Sequence, residues 1–167
     1  VVRDSSISRQ EASASAKVLG AKLLLGPFQD TKVPFNSDSV GFIENVIREN
    51  NINWIYTHWA GDTHQDHINT LNATMASSRL VKNVLCYEQV PLPRISSVQP
   101  NINYYVDISS TINIKIQGCK VHHHQISKFT QYGFDMIENV KSLAKFRGSQ
   151  CGVKYAEAFN ILKMVNI

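Results

Sequence analysis

The sequence is poor in cysteine, has no long apolar run and carries no strong excess of one charge. Its three cysteines are odd in number and lack Cys-x-x-Cys spacing, at Cys86, Cys119 and Cys151. This pattern argues against a disulfide framework or a structural zinc knot and favours a reducing, cytoplasmic location. Since no run of about 18 apolar residues occurs, we expect no membrane span.

The charge pattern gives no sign of a nucleic-acid partner. Lys and Arg number 17 against 13 Asp and Glu, a formal net charge of +4, and they are scattered along the sequence. Nucleic-acid surfaces need clustered basic side chains. We expect a small-molecule ligand instead, and a homo-oligomer stays open. With 167 residues, 43% of them hydrophobic, the chain can form one core, so we expect a single domain over 1–167.

The spacing of apolar residues predicts helices and strands in alternation. Strands separated by helices of ordinary length form right-handed crossovers in a parallel sheet. The expected fold is therefore α/β and Rossmann-like, with a mostly parallel sheet and helices on both faces. We predict helices over 8–19, 67–80, 111–124 and 129–146, and one further helix that is capped by Ser37 or Asp38. Strands are predicted over 22–25, 53–57, 83–88 and 103–109. Residues 153–165 are predicted to form either a strand or a helix.

Residues 58–67 concentrate histidines and carboxylates directly after a predicted strand. Ligands of open α/β sheets bind at the carboxyl ends of strands, so this is where a site is expected. His64 and His67 are three apart, and in the first turn of a helix they would project to the same side. One ring can bind a metal while the other acts on a substrate, and Asp66 can hold an imidazole nitrogen to fix its tautomer.

The run Thr57-His58 followed by Asp62-x-His64-Gln65-Asp66-His67 resembles the second signature of the LmbE-like, or PIG-L, family of zinc-dependent N-acetylglucosaminyl deacetylases. The resemblance extends over most of the chain. Further similar segments are Arg9-x-Glu11, Val84 to Glu88, Tyr105 to Ser109, His122 to Gln125, and Gly152 to Phe159.

One signature of the family is absent from this sequence. In the family, an Ala-His-Pro-Asp-Asp-Glu run supplies a zinc-binding histidine, a zinc-binding aspartate and the general-base aspartate. The sequence has no such run. We therefore expect an N-terminally incomplete LmbE-like domain, with its first strand or strands missing and half of an active site present.

The resemblance implies a role for each residue of the histidine segment. Zinc held by two histidines and one carboxylate keeps an open position, where it lowers the pKa of a water to about 7. His67 would be the zinc ligand of this chain. His64 would stabilise the oxyanion as an imidazolium, and Asp66 would orient its ring and raise its pKa.

Four further residues are expected to bind substrate, and each has a plainer interpretation. Arg9 is expected to hold a hydroxyl or phosphate of the sugar, or else is a solvated helix residue. Arg94 follows the strand predicted over 83–88, where the resemblance implies an arginine near the general-base aspartate. Asp62 is expected to contact sugar hydroxyls or to cap the helix at Thr63 or His64, and capping is the favoured role. In the triple histidine, we expect His122 near the pocket and its two neighbours in solvent.

The function implied by the resemblance is zinc-dependent hydrolysis of the acetamide of an N-acetylglucosamine-type sugar or glycoconjugate. Two alternatives remain open from the sequence. One is a non-catalytic sugar-binding relative, which the absent first signature permits. The other is an amidase that acts on a thiol conjugate with the same zinc site.

Overall fold

The computed structural model describes residues 5–89 and 101–165 of the chain. Within them the helices are α1 Ser5–Leu19, α2 Ser37–Glu49, α3 Gln65–Ser77, α4 Ile112–Lys120, α5 His123–Gln131 and α6 Met136–Cys151. The strands are β1 Trp54–Thr57, β2 Asn83–Tyr87, β3 Tyr104–Asp107 and β4 Ala156–Lys163. None of the helices described is long and apolar enough to cross a membrane.

The chain divides into two compact units. The sheet unit comprises residues 26–104 and 158–167, and the helical unit comprises residues 1–25 and 105–157. The expectation of a single domain stays a prediction.

The sheet unit is built around β1, β2 and the helix between them. β1 runs parallel to β2, with Trp54 opposite Asn83 and Thr57 opposite Cys86. The intervening α3 packs on β1, so this part is the predicted β-α-β crossover. β4 pairs antiparallel with β2, and Tyr87 lies opposite Phe159. β2 is buried along most of its length and forms the core of this unit.

The α/β class is confirmed, but the prediction of a mostly parallel sheet is wrong. The strand order is β1-β2-β4-β3, and β1 with β2 is the only parallel pair among the described strands. Asn103 N donates to Phe159 O, and Ile108 N donates to Tyr155 O, so β3 and β4 run in opposite directions. The prediction failed because it treated every helix between strands as a parallel crossover.

The helical unit packs α1 against α4, and α4 and α5 against α6. Its core includes Ile112, Ile116, Val140 and Ala144. α6 ends at Gly152, which has φ +80°. This left-handed conformation is one that glycine adopts without strain and that commonly ends helices. The chain turns there into β4, which settles the predicted strand or helix at 153–165 as a strand.

Several element boundaries differ from the sequence prediction. Residues 22–25 form no strand, and Leu23, Leu24 and Leu25 are 38–52% exposed. The predicted helix over 111–124 is interrupted near His122. The predicted helix over 129–146 instead begins at Met136, because Asp135 accepts hydrogen bonds from two backbone N–H groups of the first turn.

The predicted cap of α2 was placed one or two residues too late. Asn36 is the cap, and its side chain accepts from the backbone of Asp38 and Ser39. The helix predicted over 67–80 is α3, which begins two residues earlier and ends at Ser77. Gly20, with φ +64°, follows the end of α1 as predicted.

Candidate active site

The site is built where β1 ends and α3 begins. Thr57, the last residue of β1, donates its hydroxyl hydrogen bond to Thr74 on α3 at 3.3 Å, and both are buried. His64 is the N-cap of α3, and its Nδ1 accepts from the backbone N–H of Asp66 at 3.2 Å. His67 follows in the first turn. The two rings lie on the same side of the helix, with centroids 4.6 Å apart, as predicted.

A third ring completes a stack. His58 lies face to face with His67, with ring centroids 4.0 Å apart and planes 7° from parallel. His67 is therefore the middle ring, because it stacks with both His58 and His64.

Asp62 holds the middle ring from the loop. Its side chain is 1% exposed. Oδ2 lies 2.7 Å from His67 Nδ1, and Oδ1 accepts the backbone N–H of His64 at 2.8 Å. A carboxylate in this position receives the Nδ1 proton of the imidazole and leaves Nε2 as the free lone pair. This pairing is typical of histidines that bind metals, because it fixes the tautomer and the ring orientation.

The environment of His58 keeps that ring neutral. Tyr87 Oη lies 2.7 Å from His58 Nδ1, and the Gln89 amide nitrogen lies 3.1 Å from Nδ1 of both His58 and His67. Burial, reinforced by the neighbouring His67, lowers the pKa of His58 to about 4. Burial also raises the pKa of Tyr87 to about 12, so its phenol remains protonated at neutral pH.

The carboxylate of Asp66 binds the backbone of a distant loop. It accepts from Thr31 N at 2.6 Å and from Val33 N at 3.2 Å. Asn69 adds a hydrogen bond to Val33 O at 2.8 Å, and Gln65 bonds Thr31 O. The first turns of α3 therefore hold residues 31–33 in place. The bond between Asp66 and His64 runs from the backbone N–H to the ring, so the predicted orientation of the ring by the carboxylate stays untested.

The loop conformation depends on Gly61. A Cβ at this position would lie 2.2 Å from the indole of Trp59. The ring occupies the space that any other side chain needs, so Gly61 permits a close approach that shapes the loop before Asp62.

The predicted substrate-binding residues are not all in this unit. Asp62 lies in the sheet unit, but its burial and its two partners favour an orienting role over the predicted sugar contact. Arg9 is exposed on α1 of the helical unit. In the same unit His122 Nδ1 lies 3.9 Å from Glu11 Oε2, and its side chain is 32% exposed. His123 and His124 are exposed, as predicted. Arg94 lies outside the described residues.

Three residues of the site were missed by the sequence analysis. Tyr87 and Gln89 lie at or just beyond the carboxyl end of β2, beside β1, where the rule on strand ends would have found them. Asp30 carries no local signal. It lies in the loop before α2, next to the residues that α3 holds.

The residues present fit a metal ion. Donor atoms of His58, Asp62 and His67 lie within 4.8 Å of one another. Zinc accepts imidazole ligands in catalytic sites, and the bond from His67 to Asp62 leaves Nε2 of that ring free to bind one. A second group, with donor atoms equally close, consists of Asp30, His64 and Asp66.

Residues 3–78 match the sequence profile of the family described as PIG-L: GlcNAc-PI de-N-acetylase. This matched segment is a little under half of the chain. The segment includes β1, the histidine loop and α3, so the predicted resemblance is confirmed where the site lies. The similarities noted beyond residue 78 remain predictions.

Solved structures are similar to this chain over more than the segment that matches the family profile. The conserved protein TT1542 from Thermus thermophilus has a TM-score of 0.78 at 19% identity, over 98% of this chain and 76% of that chain. For N,N'-diacetylchitobiose deacetylase from Pyrococcus horikoshii, the TM-score is 0.70 at 19% identity, over 94% and 63%. For the 4-carboxy-2-hydroxymuconate hydratase GalB from Pseudomonas putida, it is 0.71 at 17% identity, over 97% and 73%. At these identities the likeness establishes the fold.

Proposed function

We propose that the protein hydrolyses the acetamide of an N-acetylglucosamine-type sugar or glycoconjugate with a zinc ion bound at His67, releasing acetate and a free amine. The observation that carries this proposal is the pairing of His67 Nδ1 with the buried Asp62 at 2.7 Å, inside a segment that matches a de-N-acetylase family. The pairing leaves Nε2 of His67 as the metal-binding atom.

The proposed zinc would supply Lewis-acid activation of water at neutral pH. His67 is the zinc ligand that we assign to this chain. In the family, the first signature supplies the other zinc ligands and the general base, and their role here stays a prediction. Asp62 fixes the ring of His67. His58, kept neutral by burial, packs flat against that ring and restricts its rotation.

His64 is the residue proposed to stabilise negative charge on the acetamide oxygen. Its Nδ1 accepts the backbone N–H of Asp66, so a neutral ring carries its proton on Nε2. That N–H is a donor already fixed in orientation by the helix N-terminus. A preorganised donor aimed at developing charge contributes roughly a factor of 10²–10³ to turnover.

The substrate class rests on the family description and on one neighbour of the same fold. That neighbour is a deacetylase of a diacetylated disaccharide, which supports a small N-acetyl sugar as the substrate. Arg9, Arg94 and His122 remain proposed sugar contacts. A cytoplasmic location is likewise part of the proposal.

The hydratase among the neighbours supports a second function. Its fold matches as closely as that of the deacetylase, so a fold alone does not determine the reaction. Addition of water to a carbon–carbon double bond is therefore the competing reaction at this site.

Acetate release from a panel of N-acetylglucosamine derivatives tests the proposal. We expect release by the zinc-loaded protein, loss with a chelator or in His67→Gln, and recovery on zinc addition to the stripped native protein. The matched control is His123→Gln, which removes an exposed histidine. A protein that hydrates an unsaturated carboxylate and releases no acetate from the panel would refute the deacetylase and support the hydratase.

A further inference from the structure

The loop before α2 brings a carboxylate, Asp30, beside the histidine proposed to act on the substrate. The loop is held by α3 through the bonds of Thr31 and Val33 to Asp66. Donor atoms of Asp30, His64 and Asp66 lie within 4.8 Å of one another. The carboxylate of Asp30 thus lies close to the imidazole of His64 and the carboxylate of Asp66, which come from a distant part of the sequence.

Asp30 is the least satisfied member of this group. Its Oδ1 is buried and has no hydrogen-bond partner among the described residues. A buried carboxylate oxygen without a donor is costly, and a cation is one group that satisfies it. Asp66 uses each of its oxygens once, and a carboxylate offers about four lone-pair positions, so it retains acceptor capacity.

The donor types and distances suit a divalent transition-metal ion. Tetrahedral zinc–ligand bonds of about 2.0–2.2 Å place two ligands of one ion roughly 3.3–3.6 Å apart. Donor atoms within 4.8 Å reach that geometry by small side-chain rotations. Nitrogen and oxygen donors together favour zinc or manganese over magnesium, which prefers oxygen alone.

We propose that Asp30, His64 and Asp66 form a second, inhibitory divalent-cation site, distinct from the one at His67. Coordination through Nε2 of His64 moves the ring proton to Nδ1 and breaks the bond that Nδ1 accepts from Asp66 N, so this site binds more weakly than the site at His67. A cation there also removes the donor that the proposed deacetylation needs. Excess Zn²⁺ therefore inhibits the enzyme while the first zinc ion remains bound. The inhibition rests on the proposed function, whereas the binding does not.

Zinc binding is measured by equilibrium dialysis of the stripped protein, without substrate, for the native protein, Asp30→Asn and a control. The control is Asp38→Asn, which removes an exposed carboxylate of the same unit and leaves the group intact. We expect a weaker class of bound zinc in the native protein and in Asp38→Asn. In Asp30→Asn its dissociation constant should rise at least about tenfold, since loss even of an outer partner of a metal site costs that much.

The same three proteins are then assayed for acetate release over a range of Zn²⁺ concentrations. Native protein and Asp38→Asn should be inhibited at the concentrations that fill the weaker class. Relative to its own activity at low zinc, Asp30→Asn should require at least about tenfold more zinc for inhibition than native protein does. Equal weak binding in Asp30→Asn and native protein overturns the proposal. Absence of acetate release in all three proteins refutes the proposed function, and the dialysis result still decides the cation site.

Discussion

The six histidines of the chain are divided equally between two short segments, residues 58–67 and residues 122–124. The second segment is the denser in sequence, yet two of its three rings are exposed and His122 lies 3.9 Å from its carboxylate neighbour. In the first segment the rings are stacked, and His67 has a buried carboxylate at 2.7 Å. Placement at a strand end and a helix cap, and not histidine density, distinguishes an organised site.

The largest expected effect comes from removing the middle ring. His67→Gln should lose the zinc bound at this site and abolish acetate release, because Nε2 of His67 is the proposed ligand. Zinc content by elemental analysis and acetate release together measure this. The distinction between the two histidine segments would be contradicted if His123→Gln had the same effect, or if His67→Gln retained native zinc content.

Replacing His64 should separate chemistry from metal binding. His64→Asn keeps a cap acceptor for α3 but loses the Nε2 donor. We expect kcat to fall by about 10²–10³ with KM little changed, because the donor acts mainly in the transition state. Zinc content should stay native, as should the activity of His124→Asn. Normal turnover in His64→Asn would reduce His64 to a capping residue.

Asp62 should affect metal affinity more than chemistry. Asp62→Asn preserves the shape of the side chain but weakens its hold on His67 Nδ1. Loss of such an orienting carboxylate typically lowers metal affinity about 10–100-fold. Competition with a chromophoric chelator gives the zinc dissociation constant. Asp135→Asn is the control, since asparagine also caps helices well and Asp135 has no part in the site. Unchanged zinc affinity in Asp62→Asn would mean that the ring is held by packing alone.

The smallest expected effect is a pH dependence of stability due to His58. Its folded pKa of about 4 lies below the ordinary value of 6.5. Below pH 6.5 the unfolded chain binds a proton that the folded chain does not, so stability present above pH 6.5 is lost as the pH falls toward 4. The Tm of metal-free native protein should therefore decrease over this range more than that of His58→Gln.

His123→Gln provides the reference for this measurement, because its exposed ring leaves the slope of Tm against pH close to native. An identical slope in His58→Gln and native protein would contradict the assignment. Metal-free protein is required, since a bound cation competes with protons at the neighbouring His67.

The sequence was sufficient for the part of the site that depends on local spacing. β1, α3 and the shared side of His64 and His67 follow from an apolar run and a three-residue spacing. The partners of Asp66 did not follow, because Thr31 and Val33 lie 35 and 33 residues earlier and contribute only backbone N–H groups. Backbone donors carry no sequence signature. Asp30 was missed because only the fold of its loop brings its carboxylate to the site.

The sheet was predicted less well than the site. An apolar strand that follows a helix pairs equally well in either direction, because the residue pattern of a buried strand does not encode the direction of its neighbour. β4 illustrates this, since its alternative as a helix was open and its antiparallel pairing with β2 was not foreseen.

The close approach of Gly61 to Trp59 makes positions 59 and 61 share one volume. A side chain is accommodated at 61 only when the indole at 59 moves aside or is replaced by a smaller side chain. Directed evolution that varies positions 59 and 61 together would therefore reach loop shapes that changes at one position alone do not. The loop that follows His58 can thus be remodelled at positions 59 and 61 without altering the histidines or carboxylates of the site.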